Sequence, residues 1–109
     1  MKTAPTPKPL SPGEEELAQH LHIYGVPFER EYRFDPERKW RADFLIEPKI
    51  LVEVEGGTYS GGRHTRGKGF EADCLKYNRA TTLGFKLYRF SSFQVTSGVA
   101  IDTILEALR

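Results

Sequence analysis

The chain has 109 residues, 39% of them hydrophobic, and 16 Lys+Arg against 15 Asp+Glu give a formal net charge of +1. That length fits one domain around one modest core and leaves no room for a separate specificity domain. The balanced charge excludes a polycation that holds nucleic acid by bulk charge, but it leaves local patches open. No apolar run nears membrane-spanning length, and Met1-Lys2-Thr3-Ala4-Pro5 is not followed by the apolar block of a signal peptide. A single cysteine, Cys74, forms no intrachain disulfide, so a cytoplasmic location is expected.

In chain order, four of seven prolines fall at positions 5, 7, 9 and 12, so residues 1–10 read as an extended, disordered tail and 11–109 as one domain. Ser11-Pro12 caps and opens a helix that Leu17, Leu21 and Tyr24 continue and Gly25 stops. Phe28–Phe34 reads as a strand, Asp35-Pro36-Glu37-Arg38 as a turn, and Trp40–Ile46 as a second strand. Lys49–Glu55 reads as a third strand with Ile50, Val52 and Val54 on one face. Six of ten glycines lie between 56 and 69, which marks a long loop of the kind that carries function. Phe70 to Leu83 reads as a helix closed by Gly84, and Phe85–Phe90 as a fourth strand. Val99–Leu108 reads as an amphipathic helix with Ile101, Ile104, Leu105 and Leu108 on one stripe. The order αβββαβα predicts an α/β fold with a mixed four-stranded sheet flanked by helices.

Asp43 is followed ten residues later by Glu53-Val54-Glu55. Glu53 and Glu55 are two apart in a strand and share a face. The short Glu47-Pro48-Lys49 connection makes the two strands an antiparallel pair, which brings Asp43 across from that end. Carboxylates gathered this way repel, and a divalent cation relieves the repulsion. Mg²⁺ needs only one or two protein carboxylates, with water and a substrate phosphate completing its octahedron. So held, it supports phosphodiester hydrolysis.

Gly62-Arg-His-Thr-Arg-Gly67-Lys68-Gly69 nearly matches a phosphate loop, but Gly69 stands where that motif needs Ser or Thr for Mg²⁺, which argues against an NTPase. From Gly56 to Arg79 five basic residues face two acids. This segment reads as a DNA-contacting surface carried by Arg63, Arg66, Lys68 and Arg79, with glycines letting the loop close on phosphates. Asp73 and Lys76, three apart on a helix, have the spacing of an ion pair. Arg89, between Tyr88 and Phe90, needs a carboxylate or phosphate partner if buried.

Together, Trp40-Arg-Ala-Asp43-Phe-Leu-Ile, Leu51-Val-Glu53-Val-Glu55-Gly-Gly57, Asp73-Cys-Leu-Lys76-Tyr-Asn78 and Gly84-Phe-Lys-Leu-Tyr-Arg89-Phe90 resemble the PD-(D/E)XK nuclease superfamily, and within it the small very-short-patch-repair-like and phage-type endonucleases. The resemblance covers 11–109 and implies a restriction-endonuclease-like core with Mg²⁺-dependent DNA hydrolysis, Mn²⁺ substituting. Asp43 and Glu53 match its metal ligands, and the backbone carbonyl of Val54 a usual third contact. Ala42 replaces the motif proline and Glu55 the motif lysine, which leaves Glu55, Lys76 and His64 as alternatives for handling the attacking water and its protons. Many members carry a Glu on the first helix. Glu14, on the face of Leu17 and Leu21, is best placed to take that role, ahead of Glu15 and Glu16. The resemblance implies a structure-selective nuclease in repair or recombination, acting on branched, nicked or mismatched DNA. A homodimer suits a Holliday-junction resolver and a monomer a nicking enzyme. The alternative is a catalytically silent DNA-binding domain of the same fold.

Overall fold

The structure, a computed structural model, describes residues 12–55 and 68–109, with Lys68 described by its backbone alone. The expected tail over 1–10 and glycine-rich loop lie outside the described residues. So do Arg63, His64, Arg66 and the Lys68 side chain.

Helix α1, Pro12–Ile23, opens on the proline and carries Glu14 and Glu15 in its first turn, where the helix dipole favours acids. It ends in a Schellman turn: Val26 N–H donates to the Leu21 carbonyl (2.9 Å) and Gly25 N–H to that of His22 (3.0 Å). Gly25 takes φ 70°, a conformation that costs glycine little. Helix α2, Lys68–Thr82, ends in the same motif, with Gly84 at φ 94° and Phe85 N–H on the Ala80 carbonyl. Strands β1 (Glu29–Arg33), β2 (Arg41–Ile46) and β3 (Ile50–Glu55) form an antiparallel meander. Strand β4, Lys86–Ser91, returns parallel to β3 and gives the sheet order β1-β2-β3-β4. The α/β, mixed four-stranded architecture is therefore the expected one. No described helix is long and apolar enough to cross a membrane.

Three details add to the sequence reading. A short helix α3, Ser92–Thr96, follows β4, before α4, Val99–Ala107. A reciprocal capping box starts it: Ser91 Oγ accepts from Gln94 N–H, and Gln94 Oε1 accepts from Ser91 N–H. Strand β3 is buried on both faces. Ile50, Val52 and Val54 join Leu17, Leu21, Phe44, Phe90, Val95 and Ile104 in one core, while Leu51 joins Phe34, Leu45, Ala80 and Phe85 in a second. Finally, β4 lies at the edge of the described sheet, and its Arg89 is exposed and paired with Glu55 at 3.3 Å.

Helices α1 and α3 approach so closely that a Cβ on Gly13 would lie 2.7 Å from Ser92 Oγ and 3.1 Å from its Cα. We expect Gly13→Ala to cost about 1–3 kcal/mol, as overpacking does, measured by chemical denaturation. The double variant with Ser92→Gly should recover much of that loss. A Gly13→Ala protein as stable as the parent would mean the helices separate freely.

The β1–β2 turn is tied to α2 by one buried acid. Asp35 Oδ1 accepts the N–H groups of Glu37 (2.8 Å) and Arg38 (3.0 Å), and Oδ2 accepts Arg79 Nε (2.8 Å). Burial alone would raise the Asp35 pKa, but Arg79 and the two N–H donors hold it at about 2, below its ordinary 3.8. A depressed folded-state pKa contributes stability that is present above 3.8 and lost as pH falls through about 2. The unfolding midpoint should therefore fall steeply over that window, and the gap between the parent and Asp35→Asn should close there. A gap that is constant with pH would remove this assignment.

Candidate metal and catalytic centre

The centre forms where regular strand geometry breaks. Glu31, in the middle of β1, has φ 52°, a rare conformation for a residue with a side chain. Strand alternation changes sides there: the Arg30 guanidinium lies 5.3 Å over the Phe44 ring in the first core, whereas Tyr32 meets Phe85 edge-on in the second. Its partner strand changes sides too, with Phe44 in the first core and Ala42 in the second. Opposite this break, β2–β3 pairing ends at Phe44↔Val52. Beyond it, Val54 N–H donates to a side chain, Asp43 Oδ2, at 2.8 Å. The Asp43 carboxylate is thus wedged where β2 and β3 part.

Around Asp43 the acids fall into two groups. Glu14 from α1, Glu31 from β1 and Asp43 each offer a carboxylate oxygen, all within 4.8 Å of one another. Glu14 is buried, with 3% exposure. Arg30 bridges its outer side, reaching Glu14 Oε1 at 3.4 Å and Glu15 Oε2 at 3.1 Å. Hard oxygen donors in such proximity suit a cation such as Mg²⁺ or Mn²⁺, which needs few protein ligands.

Glu53 and Glu55 form the second group, on the α2 side. Glu53 is buried; its Oε2 accepts Lys76 Nζ at 2.5 Å and its Oε1 the Tyr77 hydroxyl at 3.1 Å. Burial pushes the Glu53 pKa up, the Lys76 ammonium opposes this, and the Asp43 charge adds to the rise. That last influence couples the two groups through Asp43. The Tyr77 hydroxyl also reaches Glu55 Oε2 at 3.4 Å, and Arg89 Nε reaches the same oxygen at 3.3 Å while its guanidinium stacks 4.3 Å over the Tyr77 ring. Burial and the two Glu charges raise the Tyr77 pKa, so it stays a neutral donor.

Of the residues singled out in the sequence, the structure gathers Asp43, Glu14, Glu53, Glu55 and Lys76 at one end of the sheet. Lys76 takes Glu53 as its ion-pair partner, rather than Asp73. Val54 meets Asp43 through its N–H. Arg79 is held by the buried Asp35, with Glu37 at 3.7 Å, which ties its guanidinium to the fold. Two members of the centre were not singled out, Glu31 and Tyr77. For Tyr77 a signal existed: one helical position from Lys76, it shares the turn that faces Glu53. For Glu31 there was none, because its role depends on a backbone angle.

A mixed four-stranded α/β sheet with helices on both faces is the class this fold defines, and it is compatible with a nuclease core. No family model matches the chain, and no curated protein matches it. Among solved structures it is similar to the catalytic domain of the homing endonuclease I-Bth0305I, at a TM-score of 0.68 and 13% identity, over 89% of this chain and 92% of that one. At that identity the likeness is one of fold.

Proposed function

We propose that the chain is a metal-dependent endonuclease that hydrolyses phosphodiester bonds in DNA. The observation that supports this best is the meeting of Glu14, Glu31 and Asp43 at the parting of β2 and β3, electrostatically coupled to Glu53. The fold likeness to a homing endonuclease catalytic domain points the same way. A bound Mg²⁺ or Mn²⁺ would stabilise charge on a phosphoryl oxygen and activate water. In this reading Asp43 and Glu14, with Glu31, hold the cation. Val54 N–H holds the Asp43 carboxylate where it would serve as a ligand. Glu53, with the Val54 carbonyl, completes the centre on the β3 side. Lys76, which pairs with Glu53, would deliver a proton in this reading. Glu55, oriented by Tyr77 and Arg89, would act on the attacking water, with His64 assisting proton transfer. Arg63, Arg66 and Lys68 hold the backbone. We assign Arg79 a structural role.

Substrate choice in this proposal follows DNA shape, with branched, nicked or mismatched duplexes preferred, and a homodimer if the substrate is a four-way junction. Incubating the protein with plasmid, nicked, mismatched and four-way-junction DNA, and with RNA, tests this in Mg²⁺, Mn²⁺ and chelator. Cleavage of DNA that chelator abolishes is expected. If saturating metal yields no cut product while the protein still retards the same DNA on a gel, the silent DNA-binding reading replaces this one.

A further inference from the structure

The end of the β1–β2 hairpin carries an arrangement that the carboxylate centre does not explain. Arg33 and Arg41 are Cα partners across the hairpin, and both are exposed. Like charges directly opposite on neighbouring strands destabilise the pair. Arg38 and Lys39, in the turn between them, are also exposed. The two acids of the segment are drawn away: Asp35 is buried under Arg79, and Glu37 lies 3.7 Å from the same guanidinium. No ion pair joins Arg33, Arg38, Lys39 or Arg41 to a carboxylate among the described residues. Four cations therefore crowd one edge with no direct carboxylate partner among the described residues.

The crowding is held in place. Arg33 Nε donates to the Arg38 carbonyl at 2.9 Å, and the Arg38 guanidinium lies 4.8 Å over the Trp40 ring, itself packed on the second core. The turn below is fixed to α2 through Asp35. Rigid, exposed, mutually repelling cations form a surface complementary to an extended polyanion. Its position matters as well. Arg41 is two strand residues from Asp43, about 7 Å along β2, on the end of the sheet that carries the carboxylates. A duplex with one negative charge per about 1.7 Å of axis would span both.

We propose that the β1–β2 hairpin end, through Arg33, Arg38, Lys39 and Arg41, is a binding site for the phosphate backbone of DNA, beside the bond cleaved at the carboxylate centre. This rests on the endonuclease reading. It assigns the hairpin, in addition to the glycine-rich loop, as the element that sets the duplex on the site. The contacts are to phosphate, so they carry affinity and register with no sequence preference.

The test is the salt dependence of affinity for a short labelled duplex, with Ca²⁺ in place of Mg²⁺ so that binding is read without turnover. For Lys39→Gln/Arg41→Gln the slope of log K against log salt should become shallower by about 1.8, near 0.9 for each lost phosphate contact. Lys39→Gln alone should give about half of that, and Arg41→Lys should keep the parent slope. Lys49→Gln/Lys86→Gln removes equal charge at the opposite end of the sheet, where Lys86 N–H meets the Lys49 carbonyl, and should leave the slope unchanged. The unfolding midpoint of Lys39→Gln/Arg41→Gln should equal or exceed the parent's, because a like-charge pair is relieved. A parent-like slope in that variant, or an equal change in the Lys49/Lys86 control, overturns the inference and leaves the endonuclease reading standing. Absence of DNA binding by the unaltered protein removes both.

Discussion

Asp43→Asn is expected to lower the proposed metal-dependent DNA cleavage by roughly 10²–10⁴-fold while leaving the fold about as stable as the parent. The size follows from the several kcal/mol a metal ion contributes to transition-state charge, at about 1.4 kcal/mol per tenfold in rate. Stability is spared for a local reason. Asparagine still offers an oxygen to Val54 N–H, so the contact that bridges β2 and β3 survives. Glu53→Gln should lose activity on the same scale but behave differently in stability. It leaves the Lys76 ammonium facing a neutral amide in a partly buried position, at a cost of about 1–3 kcal/mol. Steady-state cleavage with parallel denaturant titrations separates the two. An Asp43→Asn protein with parent activity would remove Asp43 from the proposed metal centre.

What the sequence shows of this protein follows from which forces are local. Strand and helix periods, the glycines at 25 and 84 and the Asp35 turn locate every long element, because each is fixed by residues a few positions apart. Helix α3 escaped that reading although Ser91-Ser92-Phe93-Gln94 spells its capping box, since five residues are too few to show a period. Burial of both β3 faces was hidden for a different reason. Glu53 and Glu55 give the strand an alternation that looks half-exposed, and only Lys76, Tyr77 and Arg89 show how those acids are accommodated. The Asp35–Arg79 pair spans 44 residues, and nothing in a charge count distinguishes a guanidinium bound to a buried acid from one facing DNA.

The centre is legible in part for the same reason. The spacing of Asp43 and Glu53 reports antiparallel neighbours, and Glu14 follows from a helix face. The third member of the acidic triad depends on the positive φ of Glu31, which turns β1 from one core to the other. Such a conformation costs of order 1–3 kcal/mol and persists only where surrounding contacts over-determine it. Here the contacts are the Arg30–Phe44 stack before it and the Tyr32–Phe85 contact after it. The acids therefore converge because two cores, each satisfied separately, share one strand.

Phe44 is the side chain on which that arrangement turns, and Phe44→Ala should be the most destabilising single change in the sheet. The ring is fully buried, meets Phe28 edge-on at 5.5 Å between centroids, and carries the Arg30 guanidinium on its face. Truncating it removes the transfer energy, opens a cavity and discards the aromatic pair, for a total of about 3–5 kcal/mol. A domain of this size has about 5–15 kcal/mol in all, so the variant stays folded only at low temperature. Phe44→Leu keeps most of the volume and should cost about 1.5 kcal/mol or less. The two variants divide stability from positioning. Phe44 precedes none of the chemistry, but it sets the backbone of Asp43 and, through Arg30, the side chain of Glu14. Under conditions where both variants are folded by circular dichroism, Phe44→Ala should need more Mg²⁺ for half-maximal cleavage than the parent, and Phe44→Leu only slightly more. An unchanged Mg²⁺ requirement in folded Phe44→Ala would show that the carboxylates are positioned without this ring.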